Sequence, residues 1–450
     1  MTDVTGMTDA TDVTDVTDVT DATDATDATD ATDATDATDA TDATEKANVP
    51  TAKPFATTRA SGCPFDPPPE YGALRAEEPV SRASCPVGTD AWVVSRYEDV
   101  RAALSDPRLS SRAAPSTHIV PNADLHRPIA PGSLLHMDGP DHTRLRRMLT
   151  SEFTVKKMRA LRPFVQRLVD EHIDAMLAGP RPADLYRDFA LPIPSLVICE
   201  LLGVPPEDRD RFQEQTTVLI RVGSAQEEVE RAAAEIEEFI GRLITAKRTA
   251  PRDDLLSRLI QRGQDSGRPF SQEELVTLGV TLLIAGHETT ANMIALSALA
   301  LFRHPGQLAA LRADPALVTP AIEELLRYLT ILQFGLLRYA TEDIRIADAT
   351  VRAGDWLVAA LSSGNRDDRA FPGADRLDLT REAGGHLAFG YGAHQCLGQQ
   401  LARVELEVVF TTLFQRIPTL RPAVPLEEIR FKDDALVYGV RALPVTWDPR

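Results

Sequence analysis

The sequence predicts a mainly α-helical protein with small β-sheets. Apolar residues recur at spacings of three and four along several segments, whereas strand-like runs are short and few. The longest helical pattern covers residues 271–302, where Ser271 and Glu274 can form a capping box at the start and Pro305 follows the end. A helix of that length is about 48 Å long, so we expect it to run through the middle of the molecule.

The other elements follow in chain order from about Thr51, where the composition becomes that of a globular protein, and the prolines at 67–69 are expected to begin the ordered region. The predicted strands are residues 91–95, 344–346, 356–360 and 435–438. The further predicted helices are residues 155–177, 196–202, 206–221, 226–247 and 399–410. No long polar linker divides this part, so we expect residues 47–450 to form one domain.

Residues 1–46 are predicted to be a disordered acidic tail. A Thr-Asp-Ala or Thr-Asp-Val triplet repeats through residues 8–44, and its period of three matches neither a helix face nor a strand face. Nothing larger than valine is available to bury, so the segment cannot offset the entropy of ordering it. Residues 1–45 carry fourteen of the nineteen net negative charges. A solvated tail without a catalytic part is the main interpretation, and a repulsive or docking role is the alternative.

Composition excludes several classes of protein. An acidic chain without a basic cluster is not expected to bind nucleic acid. No run of eighteen apolar residues and no signal-like N-terminus is present, so we expect a cytoplasmic protein without a membrane span. The four cysteines lie far apart without a CxxC pair, which argues against structural zinc and against a disulfide framework.

The most specific motif is Phe389–Gly398, which reads FGYGAHQCLG. Cys396 lies between a glycine-rich loop and a helical pattern, and a thiol at a helix start is favoured as thiolate. Gly392 and Gly398 allow a tight turn and the close approach of a flat ligand. A buried cysteine that packs as a small apolar residue is the alternative. The segment resembles the F-x-x-G-x-x-x-C-x-G haem loop of the cytochromes P-450.

This resemblance covers roughly residues 60–450 and is close to soluble actinobacterial monooxygenases. It implies the cytochrome P-450 fold, which is triangular and mainly helical with a β-rich corner near the N-terminus. It also implies haem b (iron protoporphyrin IX) with the Cys396 thiolate as axial ligand of the iron, a ligation that assists O–O cleavage. The repeated acidic tail is not part of the family's pattern.

A second signature lies in the middle of the long helix, where Ala285–Thr290 reads AGHETT. It resembles the oxygen-binding groove of the family, in which the small residues at 285 and 286 leave space for O₂. Glu288 and Thr289 then correspond to the acid–alcohol pair that delivers protons. A hydroxyl that only bonds the carbonyl four residues earlier is the alternative for Thr289. No role is assigned to His287.

Glu324 and Arg327 place opposite charges three residues apart on a helix. Such pairs are usually solvated surface features. The resemblance implies that this pair is buried and joined by a later arginine, for which Arg376 is the matching candidate. These residues are expected to be structural.

Burial of the two haem propionates requires cationic partners. The resemblance supplies four: His142, Arg146, Arg338 and His394. His386 either bonds a propionate or braces the loop. Arg144 and Arg147 lie elsewhere on the same helix and form either a basic surface for an acidic ferredoxin or an ordinary solvated face.

The resemblance implies a monooxygenase that inserts one oxygen atom from O₂ into an apolar small molecule, by hydroxylation or epoxidation. A polyketide such as a macrolide, a terpene or a xenobiotic is expected, as in antibiotic biosynthesis or xenobiotic oxidation. No GxGxxG follows a strand, so electrons are expected from a ferredoxin and its ferredoxin reductase. The expected substrate contacts are residues 110–135, 205–230, 332–336 and 435–438, in a monomer.

Two other functions stay open. One is a catalyst of the same fold with another reaction, such as a peroxygenase or an oxidative coupling enzyme. The other is a non-enzymatic haem-thiolate sensor. The presence of both Glu288 and Thr289 argues against each of them.

Overall fold

The structure is a computed structural model, and it describes residues 52–59, 62–85, 89–112, 130–220 and 225–449. The predicted acidic tail, residues 1–46, lies outside these residues. So do residues 113–129 and 221–224 of the expected substrate contacts. The described part is mainly helical with small sheets, which confirms the predicted fold class.

The helices follow one another with short connections. They are α1 (Glu70–Glu77), α2 (Tyr97–Ser105), α3 (Gly139–Thr150), α4 (Val155–Ala160), α5 (Arg162–Ala178), α6 (Pro192–Leu202), α7 (Arg209–Ile220), α8 (Gln226–Thr249), α9 (Leu255–Asp265), α10 (Gln272–Arg303), α11 (Pro305–Ala313), α12 (Val318–Leu329), α13 (Leu361–Gly364) and α14 (Gln399–Arg416). A single π-helical turn, Tyr186–Ala190, precedes α6.

The strands are β1 (Lys53–Pro54), β2 (Val80–Ser84), β3 (Asp90–Val94), β4 (Leu109–Ser110), β5 (Ala183–Asp184), β6 (Leu336–Ala340), β7 (Ile344–Ile346), β8 (Ala349–Val351), β9 (Trp356–Ala359), β10 (Arg421–Pro422) and β11 (Pro444–Thr446). The largest sheet has the order β1-β2-β3-β9-β6-β4, so strands of the N-terminal region enclose two that come much later. Strand β3 pairs in parallel with β9, from Ala91–Trp356 to Val94–Ala359. This sheet is the β-rich corner that the family resemblance implies.

Helix α10 is the central element of the fold. The predicted capping box is present: the Ser271 hydroxyl accepts from the Glu274 N–H at 3.0 Å, and the Ser271 N–H donates to the Glu274 carboxylate at 2.9 Å. Every residue from Thr290 to Leu301 is buried, and the helix packs against α6, α8, α12 and α14. The prediction of a long central helix is therefore confirmed.

Some element boundaries differ from the predictions. The predicted helix 155–177 is two helices, because Pro163 has no N–H to continue α4 and instead lies in the first turn of α5. The ordered structure begins before the prolines at 67–69, since β1 already pairs with β2. No described helix meets the length and apolarity that crossing a membrane requires.

The predicted strand 435–438 is wrong. This segment follows a turn in which the Ala435 N–H donates to the Lys432 carbonyl at 3.3 Å. Its pairing is limited to an isolated bridge between Val437 and Leu332. In place of a strand partner, the buried Gln333 side chain donates hydrogen bonds to the carbonyls of Lys432, Asp433 and Ala435 in this turn.

Candidate functional site

The loop that carries Cys396 is held at both ends. Its cysteine lies three residues before α14, and the Cys396 N–H donates to the Phe389 carbonyl at 2.8 Å. Gly392 has φ +75°, and a Cβ there would collide with the Leu104 carbonyl of α2. The Arg403 guanidinium of α14 lies 4.7 Å from the Phe389 ring centroid. Local geometry therefore requires glycine at 392 and fixes where the thiol lies.

The Cys396 thiol lies in a recess. The residue is exposed, although protein atoms surround it closely. Burial raises the pKa of this thiol, and the N–H groups of Gly398 and Gln399 with the Arg146 charge only partly oppose that rise. The helix start that was expected to stabilise the thiolate is present, but it lowers the pKa of Cys396 by less than burial raises it. Gly398 has an ordinary φ of −81° and open space where a Cβ would be, so no turn requires glycine there, and its role in the close approach of a flat ligand stays a prediction.

The midpoint of α10 also borders open space. Ile284 is 41% exposed and Ala285 is exposed, although the following part of the helix from Thr290 is buried. A Cβ at Gly286 would lie 2.6 Å from Ile198 Cδ1 of α6, so the small size of this residue lets α6 and α10 approach each other. The part of residue 286 in an oxygen groove stays a prediction.

The acid and the alcohol of α10 have separate partners. Thr289 Oγ1 donates to the Ala285 carbonyl at 2.7 Å, which is the local bond considered as the alternative. Glu288 Oε1 lies 3.2 Å from Nζ of Lys432, a residue that is only 4% exposed. His287 is buried, and its Nε2 lies 3.2 Å from the Leu191 carbonyl. Burial lowers the pKa of His287 to about 4, so it is a neutral packing residue.

Two of the four expected propionate partners stack on each other. The rings of His142 and His394 have centroids 4.0 Å apart. Burial and the charges of His142 and Arg338 lower the pKa of His394 to about 4, while Asp138 at 3.3 Å opposes this. Nε2 of His142 is buried without a hydrogen-bond partner among the described residues. Nε2 of His142 is therefore available to bind a ligand.

The two arginines complete the cluster from different elements. Arg338 of β6 is 6% exposed, and its guanidinium donates to the Leu337 carbonyl at 2.8 Å but to no carboxylate of the described residues. Arg146 of α3 donates to the Gln395 carbonyl, next to the cysteine. A buried guanidinium without an anion is unfavourable, so this cluster suits a ligand with carboxylates.

The pair of Glu324 and Arg327 is fully buried, as the resemblance implies. Arg327 Nε and Nη2 bond the two carboxylate oxygens at 2.7 and 2.9 Å. Arg327 also donates to the carbonyls of Asn365 and Ala374 at 2.6 and 2.9 Å. These contacts tie α12 to the long connection that leads to the cysteine loop.

The third arginine of this cluster is Arg381, not Arg376. Arg381 Nε lies 3.2 Å from Glu324 Oε1, and its Nη2 donates to the Gly373 carbonyl at 3.0 Å. The Arg376 carbonyl accepts from Arg327 Nη2 at 3.4 Å, and the residue itself is exposed. The assignment of Arg376 is corrected for this reason.

His386 braces the loop. Its Nε2 lies 3.2 Å from Glu323 Oε2, and its Nδ1 accepts from the Ala388 N–H at 3.1 Å, so neither nitrogen is left for a propionate. Glu323 also receives two bonds from Arg403, at 2.6 and 2.8 Å. Burial alone would raise the pKa of Glu323, but the bonds from Arg403 and His386 lower it to about 2.

Sequence reasoning missed four residues of the site: Glu323, Arg381, Arg403 and Lys432. Arg403 follows Cys396 by seven residues, two helical turns, and that spacing was a usable signal. Glu323 directly precedes Glu324, and the motif gives a role only to Glu324. Lys432 has no local signal, because its partner Glu288 lies 144 residues away.

The residues present fit a haem. In the described part of the chain no group of three or more His, Cys, Asp or Glu could hold a metal ion. The accessible Cys396 thiol could bind an iron whose other ligands come from a macrocycle. The exposed surface of α10 offers an apolar wall, and the cluster of His142, Arg146, Arg338 and His394 offers partners for two carboxylates.

Known proteins resemble this chain over most of its length. The family model described as Cytochrome P-450 matches residues 207–420. Cytochrome P-450-SU2 of Streptomyces griseolus is 50% identical over 404 residues, which are 90% of this chain and 99% of that protein. The 20-oxo-5-O-mycaminosyltylactone 23-monooxygenase of Streptomyces fradiae is 42% identical over 414 residues, and the match covers 89% of this chain and 96% of that protein. The crystal structure of CYP105P1 in complex with filipin I has a TM-score of 0.80 and 44% identity, over 89% of this chain and 100% of that one.

Proposed function

Because the chain belongs to the cytochrome P-450 family, we propose that Cys396 is the axial ligand of haem b in a monooxygenase that oxidises an apolar small molecule. Membership implies a haem-thiolate iron and an oxidoreductase of the monooxygenase class. When bound, haem supplies the activation of O₂ and the transfer of one oxygen atom to the substrate. The accessible Cys396 thiol before α14, close to the Arg146 guanidinium, carries the assignment.

The chain's own residues would hold the haem by its carboxylates. Arg338 and His142 have buried donors without an anionic partner in the described structure, and His394 and Arg146 lie beside them. A propionate near these groups would satisfy the donors and would favour protonated histidine. Gln395 connects this cluster to the cysteine loop through its carbonyl.

Proton delivery is proposed for Glu288 and Thr289. While the Thr289 hydroxyl donates its hydrogen bond to the Ala285 carbonyl, its two lone pairs are free to accept, so it can pass on a proton by rotating. The Glu288 carboxylate is 16% exposed, which lets it exchange protons with water.

Substitution Thr289→Ala is expected to uncouple electron use from product formation. The variant keeps the helix but lacks the hydroxyl that positions the proton, so hydrogen peroxide should rise severalfold for each NADPH consumed. Peroxide and product are measured together with NADPH oxidation in the reconstituted enzyme, and Thr290→Ala, buried in the same helix, is the matched control. Unchanged coupling would remove the relay role from Thr289 and favour a peroxygenase-type reaction.

The proposed substrate is an apolar secondary metabolite, of which macrolides are the main candidates. Relatives are named for activity on 20-oxo-5-O-mycaminosyltylactone and for a complex with filipin I. In this chain Leu332 and Leu336 are only partly buried, and Leu336 Cδ1 lies against Gly390 of the cysteine loop. Phe334, expected beside them, instead packs in the core beneath the large sheet. The apolar surface that residues 332–336 offer to a substrate is therefore smaller than the sequence predicted.

A screen of macrolides, terpenes and drug-like molecules is expected to find ligands that shift the haem from low to high spin. Substitution Leu336→Asn should weaken binding of the same ligand about tenfold, because it places an amide on an apolar surface. Val155→Asn, on an exposed part of α4, is the control and should not change binding. Haem-loaded protein that no apolar ligand shifts would contradict the proposed substrate class and favour a sensor.

A ferredoxin is proposed as the electron donor, with docking on the face of α3 and α4. Arg147, Lys156 and Arg159 are exposed, and the described structure shows no ion pair for any of them. Arg144 does not belong to this face, because it is half-buried and pairs with Glu274 at 2.6 Å. Helix α4 packs against α14, at whose start the cysteine loop lies. An acidic partner bound here would be close to the iron ligand.

A further inference from the structure

Lys432 is a buried cation that belongs to none of the recognised motifs. Its ammonium lies 3.2 Å from Glu288 Oε1 and donates to the Tyr186 hydroxyl at 2.8 Å. The same nitrogen lies 4.6 Å from the centroid of the Tyr186 ring. Lys432 therefore joins α10, the π-helical turn before α6, and the C-terminal part of the chain at one point.

The Glu288 carboxylate balances this cation. Burial raises the pKa of Tyr186, so its phenol stays neutral. Arg441 and His287 also act on the site, and neither supplies negative charge. Burial lowers the pKa of Lys432, while the Glu288 carboxylate opposes that change. Loss of one partner would leave the other charge buried and uncompensated.

The backbone of Lys432 is connected to the expected substrate contacts. The Lys432 N–H donates to the Gly439 carbonyl at 2.9 Å, and the Gln333 side chain donates to the Lys432 carbonyl at 3.3 Å. Gln333 bonds the Asp433 and Ala435 carbonyls as well. The turn of residues 432–439 is thus fixed to the segment 331–333 and carries Leu436, whose side chain is 53% exposed.

We propose that Lys432 is a positioning residue that holds the Glu288 carboxylate apart from Thr289 and releases it when a substrate packs on the turn of residues 432–439. The proposal rests on the proton-delivery role of Glu288 and Thr289 given above. In the described structure the carboxylate bonds Lys432, and the Thr289 hydroxyl bonds the Ala285 carbonyl. Because Gln333 and Gly439 hold the Lys432 backbone, a displacement of the turn would also displace the Lys432 ammonium. Substrate occupancy would then determine when the acid is available.

Infrared spectroscopy of the full-length holoprotein tests the contact directly. In Lys432→Met the Glu288 carboxylate loses its cation, so we expect a shifted Glu288 carboxylate band at neutral pH in the difference spectrum against the wild type. The band is assigned by its absence from Lys432→Met/Glu288→Gln, which separates it from other buried acids such as Glu405. Lys432→Arg keeps the charge and should not show the band. A spectrum of Lys432→Met without a Glu288-dependent change would overturn the proposal.

Coupling to substrate is tested with a ligand that gives the spin shift. In the wild type this ligand should change the Glu288-dependent carboxylate bands, and in Lys432→Met it should not. Peroxide release per NADPH should rise severalfold in Lys432→Met and return toward wild type in Lys432→Arg. Lys247→Met breaks another buried lysine–carboxylate pair, with Asp254, and should lower stability without changing peroxide release.

The two proposals fail in different ways. Carboxylate bands in the wild type that do not respond to the ligand would contradict release by substrate. A Glu288-dependent band with unchanged peroxide release would support the contact with Lys432 and contradict the proton-delivery role. Holoprotein that lacks the thiolate spectrum would contradict the function proposed for Cys396, whereas the infrared result would still decide the contact.

Discussion

Replacement of Cys396 by serine is expected to abolish the red-shifted Soret band that the reduced, CO-bound protein shows with a thiolate ligand. A serine hydroxyl has no anionic form near neutral pH and donates far less electron density to iron. Loss of the ligand should also reduce monooxygenase activity to the background level, because the thiolate assists O–O cleavage. The CO difference spectrum of the purified variant checks both the ligand and its protonation state.

Cys85 and Cys199 are not suited to take its place. Both are buried in apolar clusters of the core, so neither thiol is accessible to a haem iron. Cys199→Ser, in α6, is the matched control and should keep the band. Persistence of the band in Cys396→Ser would refute the ligand assignment, whereas its loss in both variants would indicate a folding defect.

Parts of the site were predictable because their information is local. The cysteine loop is ten consecutive residues, and its glycine at 392 is required by a positive φ. The long helix was marked by a capping box of neighbouring residues, Ser271 and Glu274. In each case the residues that fix the conformation lie within a few positions of one another. The sequence pattern therefore already contains the residues that contact each other in the fold.

Other parts depend on which way a backbone turns in the folded protein. Arg376 and Arg381 are both arginines of one connection, but it is the Arg381 guanidinium that contacts Glu324, whereas Arg376 contacts Arg327 through its carbonyl. Phe334 was expected at an apolar substrate surface, but the large sheet buries it. Such choices are made by packing between distant segments, which a single sequence does not show.

Substitution Arg327→Met is expected to prevent stable folding or to cost about 3–5 kcal/mol of unfolding free energy. Glu324 is fully buried, and the variant would leave its carboxylate with one cation in place of two. The carbonyls of Asn365 and Ala374 would also lose their donor. Since whole domains are stable by only about 5–15 kcal/mol, the yield of haem-loaded protein should fall sharply. Denaturant unfolding and the ratio of CO-binding haem to total protein measure this.

The matched pair Arg381→Met and Arg376→Met separates the two candidate third arginines. Arg381 bonds the Glu324 carboxylate, so its loss should cost about 1.5–3 kcal/mol, the range for a hydrogen bond to a charged group. Arg376 contributes its carbonyl, which the substitution keeps, and its side chain is exposed, so the expected change is within about 0.5 kcal/mol. Equal destabilisation by both would mean that Arg376 shares the buried charge. Stability lost only in Arg381→Met would show that Glu324 is held from two sides, by its own helix and by the connection that positions the cysteine loop.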